Sequence, residues 1–239
     1  VEDDYLEIWN LVFMQYEKAA DGSLTPLPRP SIDTGMGLER ITQVKQGFTN
    51  NYDTDLFTPA MDVVQELLRH SDEERKANYV GYRVIADHVR AATFVIADGV
   101  RPGNDGAEYV LRMVIRRAAR FGRDMGFSQP FMAHVAGAYI QHMGEAYPEL
   151  IAQMEHIKRT LTQEEERFSR TLDNALVQLE RVLEDATDKQ IPGHVAFDLY
   201  ATHGLPLEIT RDLAEERGFT VDEAGYLVAK AEHALASGS

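Results

Sequence analysis

Cysteine is absent from the chain. Disulfides, thiolate zinc sites and cysteine nucleophiles are therefore excluded. No apolar run approaches the ~18–20 residues of a membrane-spanning helix. No signal peptide is recognisable at the start, so a cytoplasmic location is expected. Positive charge is scarce: 24 Lys and Arg face 39 Asp and Glu, a formal net charge of −15. That balance argues for solubility and against a generalised nucleic-acid coat, but leaves room for a local basic stripe. Internal repeats and low-complexity tracts are missing too. What remains is an ordinary globular composition, 44% apolar and 26% charged over 239 residues. This suffices for one large domain or two small ones with a real core.

The opening residues run straight from Val1 into "YLEIWNLVFMQY", without Met, cap or tail. Residues 5–16 read as a buried strand, aromatic and β-branched. Alternation puts Ile8, Asn10, Val12 and Met14 on one face and Trp9, Leu11 and Phe13 on the other. So apolar a strand needs partners on its edges, and the chain is expected to begin inside a domain whose first part precedes it. Asp21-Gly22 marks a hairpin turn. "PLPRP" is an extended approach, and residues 31–36 are the returning strand. Helix is expected from Gly37 to Gly47, and again from Thr58-Pro59 to about His70. Further helices are expected over 81–99, 107–122, 130–143 and from Pro148 to about Ala186, then over 195–203, 207–217 and 222–236. In the longest helix Met154, Ile157, Leu161, Phe168, Leu172, Ala175, Leu179 and Val182 form a stripe that Glu164 interrupts. The stripe reads either as an internal packing face or as an oligomer zipper with imperfect heptads. The run "QEEERFSR" reads as the solvated face of that helix.

"DTGMGLERI", from Asp33 to Ile41, raises the first chemical question. Asp-Thr-Gly is an aspartic-protease half-site, but that chemistry needs two carboxylates sharing a proton, and the tripeptide occurs once in a mostly helical pattern. The glycines also serve as turn residues with Asp33 as a cap. A third reading uses every residue. A strand ending in small residues lets a ligand approach, Asp33 offers an anion to a cationic group, and Arg40 follows in the first helical turn. A planar, permanently charged fork suits phosphate oxygens. The pair fits a ligand carrying both an ammonium and a polyphosphate.

"SIDTGMGLERI" closely resembles motif 3 of the class II aminoacyl-tRNA synthetases, and among them the alanyl-tRNA synthetases. "EIWNLVFMQY", "NYDTDLF", "RVIADHVRAATFVIADGVRPGN", "YVLRMVIRRAARFG", "EEERFSRTL" and "DEAG" resemble further stretches of that family, in order, over essentially all 239 residues. The resemblance implies an α+β fold. Short antiparallel strands from the end of the class II catalytic sheet (residues 1–50) would precede a mainly α-helical tRNA acceptor-stem recognition domain (residues 51–239). It implies a ligase that activates alanine with ATP and Mg2+ as substrate and moves it to the tRNA 3′ end. Asn10, Val12, Asp33 and Gly35 would form the alanine site, with Asp33 on the ammonium. Gly37 and Arg40 would meet ATP, and Arg40 would stabilise charge on the transferring phosphate.

The partner implied for the helical part is the acceptor stem of tRNA(Ala), which the family recognises by a G·U wobble pair. Asn104 matches a residue that touches this pair; taken alone, it is also an ordinary turn former. Arg101, Arg112, Arg116, Arg117, Arg120 and Arg123 stand against two acids over residues 101–123, a net of +4. Positions 112, 116, 120 and 123 recur at helical spacing. Arg112, Arg116, Arg117 and Arg120 read as the contacts of a helix laid along acceptor-stem phosphates, or the stripe reads as an exposed face paired with the acids near Glu164–Glu166. One departure stands out: the family's "LYDTYG" is here "LYATHG", with Ala201 in place of the wobble-reading Asp. Either Glu208, His203 or a water replaces it, or the pair is read from one side only. Motifs 1 and 2 are not recognisable, nor is an editing domain with its zinc ligands. The chain is thus expected to be an internal fragment, inactive by itself and without a zinc or other metal site, its oligomeric state open. The rival reading is a helix–turn–helix DNA-binding module over 194–218, whose second helix carries four acids and two bases.

Overall fold

The computed structural model describes residues 5–185 and 188–237. The chain divides into two compact units, Val1–Pro59 and Ala60–Ser239. In the first, β1 (Trp9–Lys18) pairs antiparallel with β2 (Leu24–Met36), followed by α1 (Leu38–Gln46) and a 3-10 turn at Asn51–Asp53. The hairpin turns where expected. The Asp21 carboxylate accepts from the Ser23 hydroxyl at 2.7 Å and from its backbone N–H at 2.9 Å. These bonds, that to the hydroxyl foremost, hold its pKa below the usual carboxylate range.

The register runs from Trp9 opposite Met36 to Met14 opposite Ser31, then slips and resumes with Tyr16 opposite Pro26. The slip has a cause in the sequence. Pro26, Pro28 and Pro30 carry no N–H, so this stretch cannot sustain a ladder. The segment still counts as strand, which makes β2 longer than expected. The larger correction concerns burial: every residue of β1 is exposed. A two-stranded ribbon pairs one edge of each strand and covers neither face, and alternation alone supplies no second layer.

The second unit is helical. It comprises α2 (Thr58–Leu68), α3 (Asp72–Ala77), α4 (Tyr79–Ala97), α5 (Gly106–Asp124), α6 (Met132–Met143), α7 (Pro148–Ala152) and α8 (Met154–Asp185). Then follow β3 (Gln190–Ile191), α9 (Gly193–Ala201), α10 (Leu207–Glu215), β4 (Thr220–Val221) and α11 (Glu223–Ser237). The parallel β3–β4 pair was not foreseen. Nor was α3, although its capping box was legible: the Ser71 hydroxyl accepts from Glu74 N–H and the Glu74 carboxylate from Ser71 N–H. The helix expected from Pro148 is two helices. Gln153, at φ −101° and ψ 8°, leaves helical geometry between them. Ala186, its expected end, lies outside the described residues.

α8 is the spine of this unit, ~48 Å long at 1.5 Å per residue. Ile157 and Leu161 are buried in its first half, which packs on α6 and α4. Phe168, Leu172, Ala175, Leu179 and Leu183 are buried in a cluster with α9, α10 and Tyr226 of α11. The stripe is thus an internal packing face, ending on Leu183 while Val182 is only partly buried. Each fully buried Leu contributes about 1.5–3 kcal/mol of transfer free energy. α9 and α11 meet through glycine: a Cβ on Gly193 would stand 2.2 Å from the backbone of Gly225 and Tyr226, so no larger residue fits without moving a helix.

Candidate functional site

The hairpin register decides where the residues of the first unit fall. Asn10 lies opposite Gly35, and Val12 opposite Asp33. Directly opposed residues of an antiparallel pair share a face, with Cβ atoms about 4.5–5.5 Å apart. The four residues therefore form one block on one face of the ribbon. Trp9, Leu11 and Phe13 occupy the other face, opposite Met36, Thr34 and Ile32. Gly35 is required neither by a left-handed φ nor by crowding, since a Cβ there would meet nothing within 4 Å. Its missing side chain leaves open space beside Asn10. Gly37 begins α1 without a side-chain cap, which leaves first-turn amides for an anion. Arg40, exposed in that turn, donates from Nη1 to the Glu7 carbonyl at 2.7 Å. One nitrogen is thus anchored to the chain ahead of β1, while the other donors of the fork stay available.

In the second unit, α5 and α10 face each other through opposite charges. Glu208 and Asp212 of α10 and Glu216 at its C-cap recur every four residues. Tyr109 donates to Glu208 at 3.0 Å. Arg117 lies 3.3 Å from Asp212, and Arg120 Nη2 sits 2.5 and 2.6 Å from the two oxygens of Glu216. The acidity of α10 is therefore directed at α5, and the helix–turn–helix reading gains nothing from the fold. On the other side of α5, Arg123 pairs with Asp173, and Arg112 and Arg116 pair with Glu164 of α8 at 3.3 and 2.9 Å.

These pairs correct the reading of "QEEERFSR" as a solvated face. Glu164 and Glu165 are buried, while Glu166 and Arg167 are exposed. Glu164 holds a seam position between Leu161 and Phe168. It is tolerated there because a buried carboxylate facing guanidiniums avoids standing uncompensated. The interruption of the stripe was the signal that could have located it. The arginines of α5 consequently divide. Arg112, Arg116 and Arg120 turn inward, the last with 5% of its side chain exposed; Arg117 keeps 45% exposed. Burial lowers the Arg116 pKa, and Glu164 opposes that shift.

The loop between α4 and α5 carries Asn104, which is exposed. Its Oδ1 accepts from Arg112 Nη1. Arginine only donates, so this contact fixes which end of the amide faces the protein and leaves Nδ2 presented outward. At the end of α9, Ala201 and the following Thr202 are exposed, and Thr202 donates to Asp198 at 2.7 Å. Of the replacements considered for the missing Asp, Glu208 is engaged by Tyr109. Gly204 follows at φ +67°, a left-handed turn that favours glycine.

Glu165 is a further residue that sequence reasoning passed over. It accepts the N–H of Phe131 at 3.0 Å and of Met132 at 3.2 Å, capping the start of α6. Burial pushes its pKa up to about 7 against those bonds. It lines a cavity of about 520 Å³ with Phe127, Phe131, Phe168, Arg123 and Arg170. Among the described residues no group of three or more His, Asp or Glu is placed to hold a metal ion. No helix there is long and apolar enough to cross a membrane.

The family model described as "tRNA synthetases class II (A)" matches residues 1–238. The alanine–tRNA ligase of Herpetosiphon aurantiacus is 52% identical over 226 residues, covering 94% of this chain and 25% of that protein. That of Anaeromyxobacter dehalogenans is 50% identical over 241 residues, covering 94% and 27%. That of Chloroflexus aurantiacus is 49% identical over 234 residues, covering 97% and 26%. The chain thus spans about a quarter of the length of the curated relatives it matches.

Proposed function

Since the chain belongs to the class II tRNA synthetase family, we propose that it is the part of a cytoplasmic alanine–tRNA ligase that carries motif 3 and reads the tRNA acceptor stem. In the reaction, an alanine carboxylate oxygen attacks the α-phosphorus of ATP, supplied with Mg2+, and the bond to pyrophosphate breaks. The 3′ hydroxyl of tRNA then takes the alanyl group and AMP leaves. The observation that carries this reading is the register block of Asn10, Gly35, Val12 and Asp33. It offers a carboxylate to an ammonium group beside the open space that Gly35 leaves. Arg40, one nitrogen already anchored on Glu7, holds the phosphates with its other donors. Such preorganised charge acts mainly in the transition state.

The ribbon's exposed apolar faces support one further element of the reading. Contiguous apolar surface of this kind marks an interaction face, and we assign it to the remainder of an aminoacylation domain. In the helical unit, Asn104 presents its amide to a base edge and Arg117 meets a phosphate. Arg112, Arg116 and Arg120, committed to carboxylates, lie beneath that surface as supports. Asp33→Asn in the complete ligase tests the catalytic half by alanine-dependent ATP–pyrophosphate exchange. The expected outcome is a raised KM for alanine with the KM for ATP unmoved. An unchanged alanine KM rejects the assignment.

A further inference from the structure

One buried carboxylate stands between two loops that are far apart in sequence. Glu164, with 2% of its side chain exposed, places Oε1 2.9 Å from Arg116 Nε and 3.3 Å from Arg112 Nε. Its Oε2 is held by Arg167 at 3.1 Å. Each of the first two guanidiniums continues outward. Arg112 donates from Nη1 to Asn104 Oδ1 and from Nη2 to the Pro102 carbonyl at 3.3 Å. Arg116 donates from Nη1 to the Gly204 carbonyl at 3.2 Å, and its guanidinium lies over the Phe168 ring at 5.2 Å. Planar forks transmit position, because fixing one nitrogen fixes the directions of the others.

We propose that Glu164 is a positioning residue that sets the Asn104 loop and the Gly204 loop together, through Arg112 and Arg116, and thereby tunes acceptor-stem discrimination. The two loops share a single oxygen at one remove: Arg116 reaches it by a hydrogen bond, and Arg112 by charge at 3.3 Å without one. Glu164 touches no substrate. The RNA part of the proposal rests on the acceptor-stem reading above; the loop part does not.

The test uses the full 239-residue chain with Glu164→Asp, which keeps the charge and withdraws it by one methylene, and with Glu164→Gln. Amide hydrogen exchange is read at Gly103, Gly204 and Leu205, whose N–H groups tie these loops to the carbonyls of Glu108, Tyr200 and Leu199. Both variants are expected to speed exchange there by about tenfold while α4 and α11 amides stay unchanged. The RNA arm uses acceptor-stem duplexes differing only in a G·U or G·C pair. Preference for the wobble stem should fall about tenfold in Glu164→Asp. In an Asn104→Ala background the same change should add no further loss. Unchanged exchange at either loop overturns the shared device. Loosened loops with full preference, where Asn104→Ala alone abolishes it, overturn the link to discrimination. If Asn104→Ala has no selective effect, the base-reading assignment fails, and the exchange result decides the role of Glu164 in loop positioning.

Discussion

The ribbon and the arginine helix hold their functional residues in opposite ways. On the ribbon, Asn10, Val12, Asp33 and Gly35 are aligned by backbone register alone, and all four are exposed. On α5, Arg120 is buried and Arg112 and Arg116 are partly buried, held in ion pairs with Glu164 of α8 and with Glu216 just after α10. The apolar element lies open and the charged one lies buried. Residue type therefore does not decide burial; the number of surfaces available to cover an element does. A hairpin has two faces and no layer of its own, whereas α5 is flanked by two helices whose acids match its charge.

The largest expected effect would break this contrast most directly. Alanine activation needs the reacting groups aligned at about 3–3.5 Å, and an uncovered ribbon lacks the support to hold them. The 239-residue chain alone should give no alanine-dependent ATP–pyrophosphate exchange. The complete ligase should give it, and Arg40→Ala should remove about 3–4 kcal/mol of transition-state stabilisation there, seen in kcat. Exchange above background from the chain by itself would show that register suffices without cover.

How much was legible follows from the same contrast. Local signals were read well: the alternation of β1, the turn at Asp21-Gly22 and the helix stops at Gly47 and Gly204 depend on nearest neighbours. Register was not readable, because three prolines within β2 displace it by an amount that only the pairing reveals. Glu164 and Glu165 were misread because an acidic run is normally solvated. Their partners lie some 30 to 50 residues away, at Arg112, Arg116 and the start of α6. Pairing of the α5 arginines with acids near Glu164 was one of the two open readings of that stripe; what a pass along the chain did not supply was that the carboxylate is buried.

The second prediction probes the buried side of the comparison. The Glu165 pKa is raised from 4.5 to about 7 by burial. The native state therefore keeps a proton that the unfolded chain releases between those values. Its contribution to stability is full below about pH 4.5 and declines as pH rises through 7. A shift of this size corresponds to roughly 3 kcal/mol. Urea denaturation at pH 5 and pH 8 should show that loss, and Glu165→Gln should flatten it, because an amide oxygen still accepts the backbone N–H groups of α6. A wild-type stability that rises with pH over this window would contradict the assignment.

A smaller effect is expected at Asn104, and it sharpens the division between presenting and supporting residues. Because Arg112 occupies Oδ1, the outward group is the NH2. Asn104→Asp keeps an oxygen for Arg112 but removes both amide donors. It should therefore cost as much wobble preference as Asn104→Ala, ~1–3 kcal/mol in binding, with little change on a Watson–Crick stem. Full preference in Asn104→Asp would assign the reading to the oxygen instead.

The smallest effect separates Arg117 from its buried neighbours. Arg117 is the half-exposed member of the ladder, 3.3 Å from Asp212, which itself is 18% exposed. An ion pair this open is weak and screened by salt, so a phosphate can compete for the guanidinium. Each phosphate neutralised releases counterions, and Arg117→Ala should flatten the log–log salt dependence of acceptor-stem binding by about one unit. Asp212→Asn removes the competitor and should strengthen binding at low salt without altering that slope. Arg120→Gln, by contrast, breaks a buried contact with Glu216 and should lower the melting temperature while leaving the slope alone. Equal slopes in wild type and Arg117→Ala would place this residue among the internal supports, and Arg112, Arg116, Arg117 and Arg120 would then all be structural.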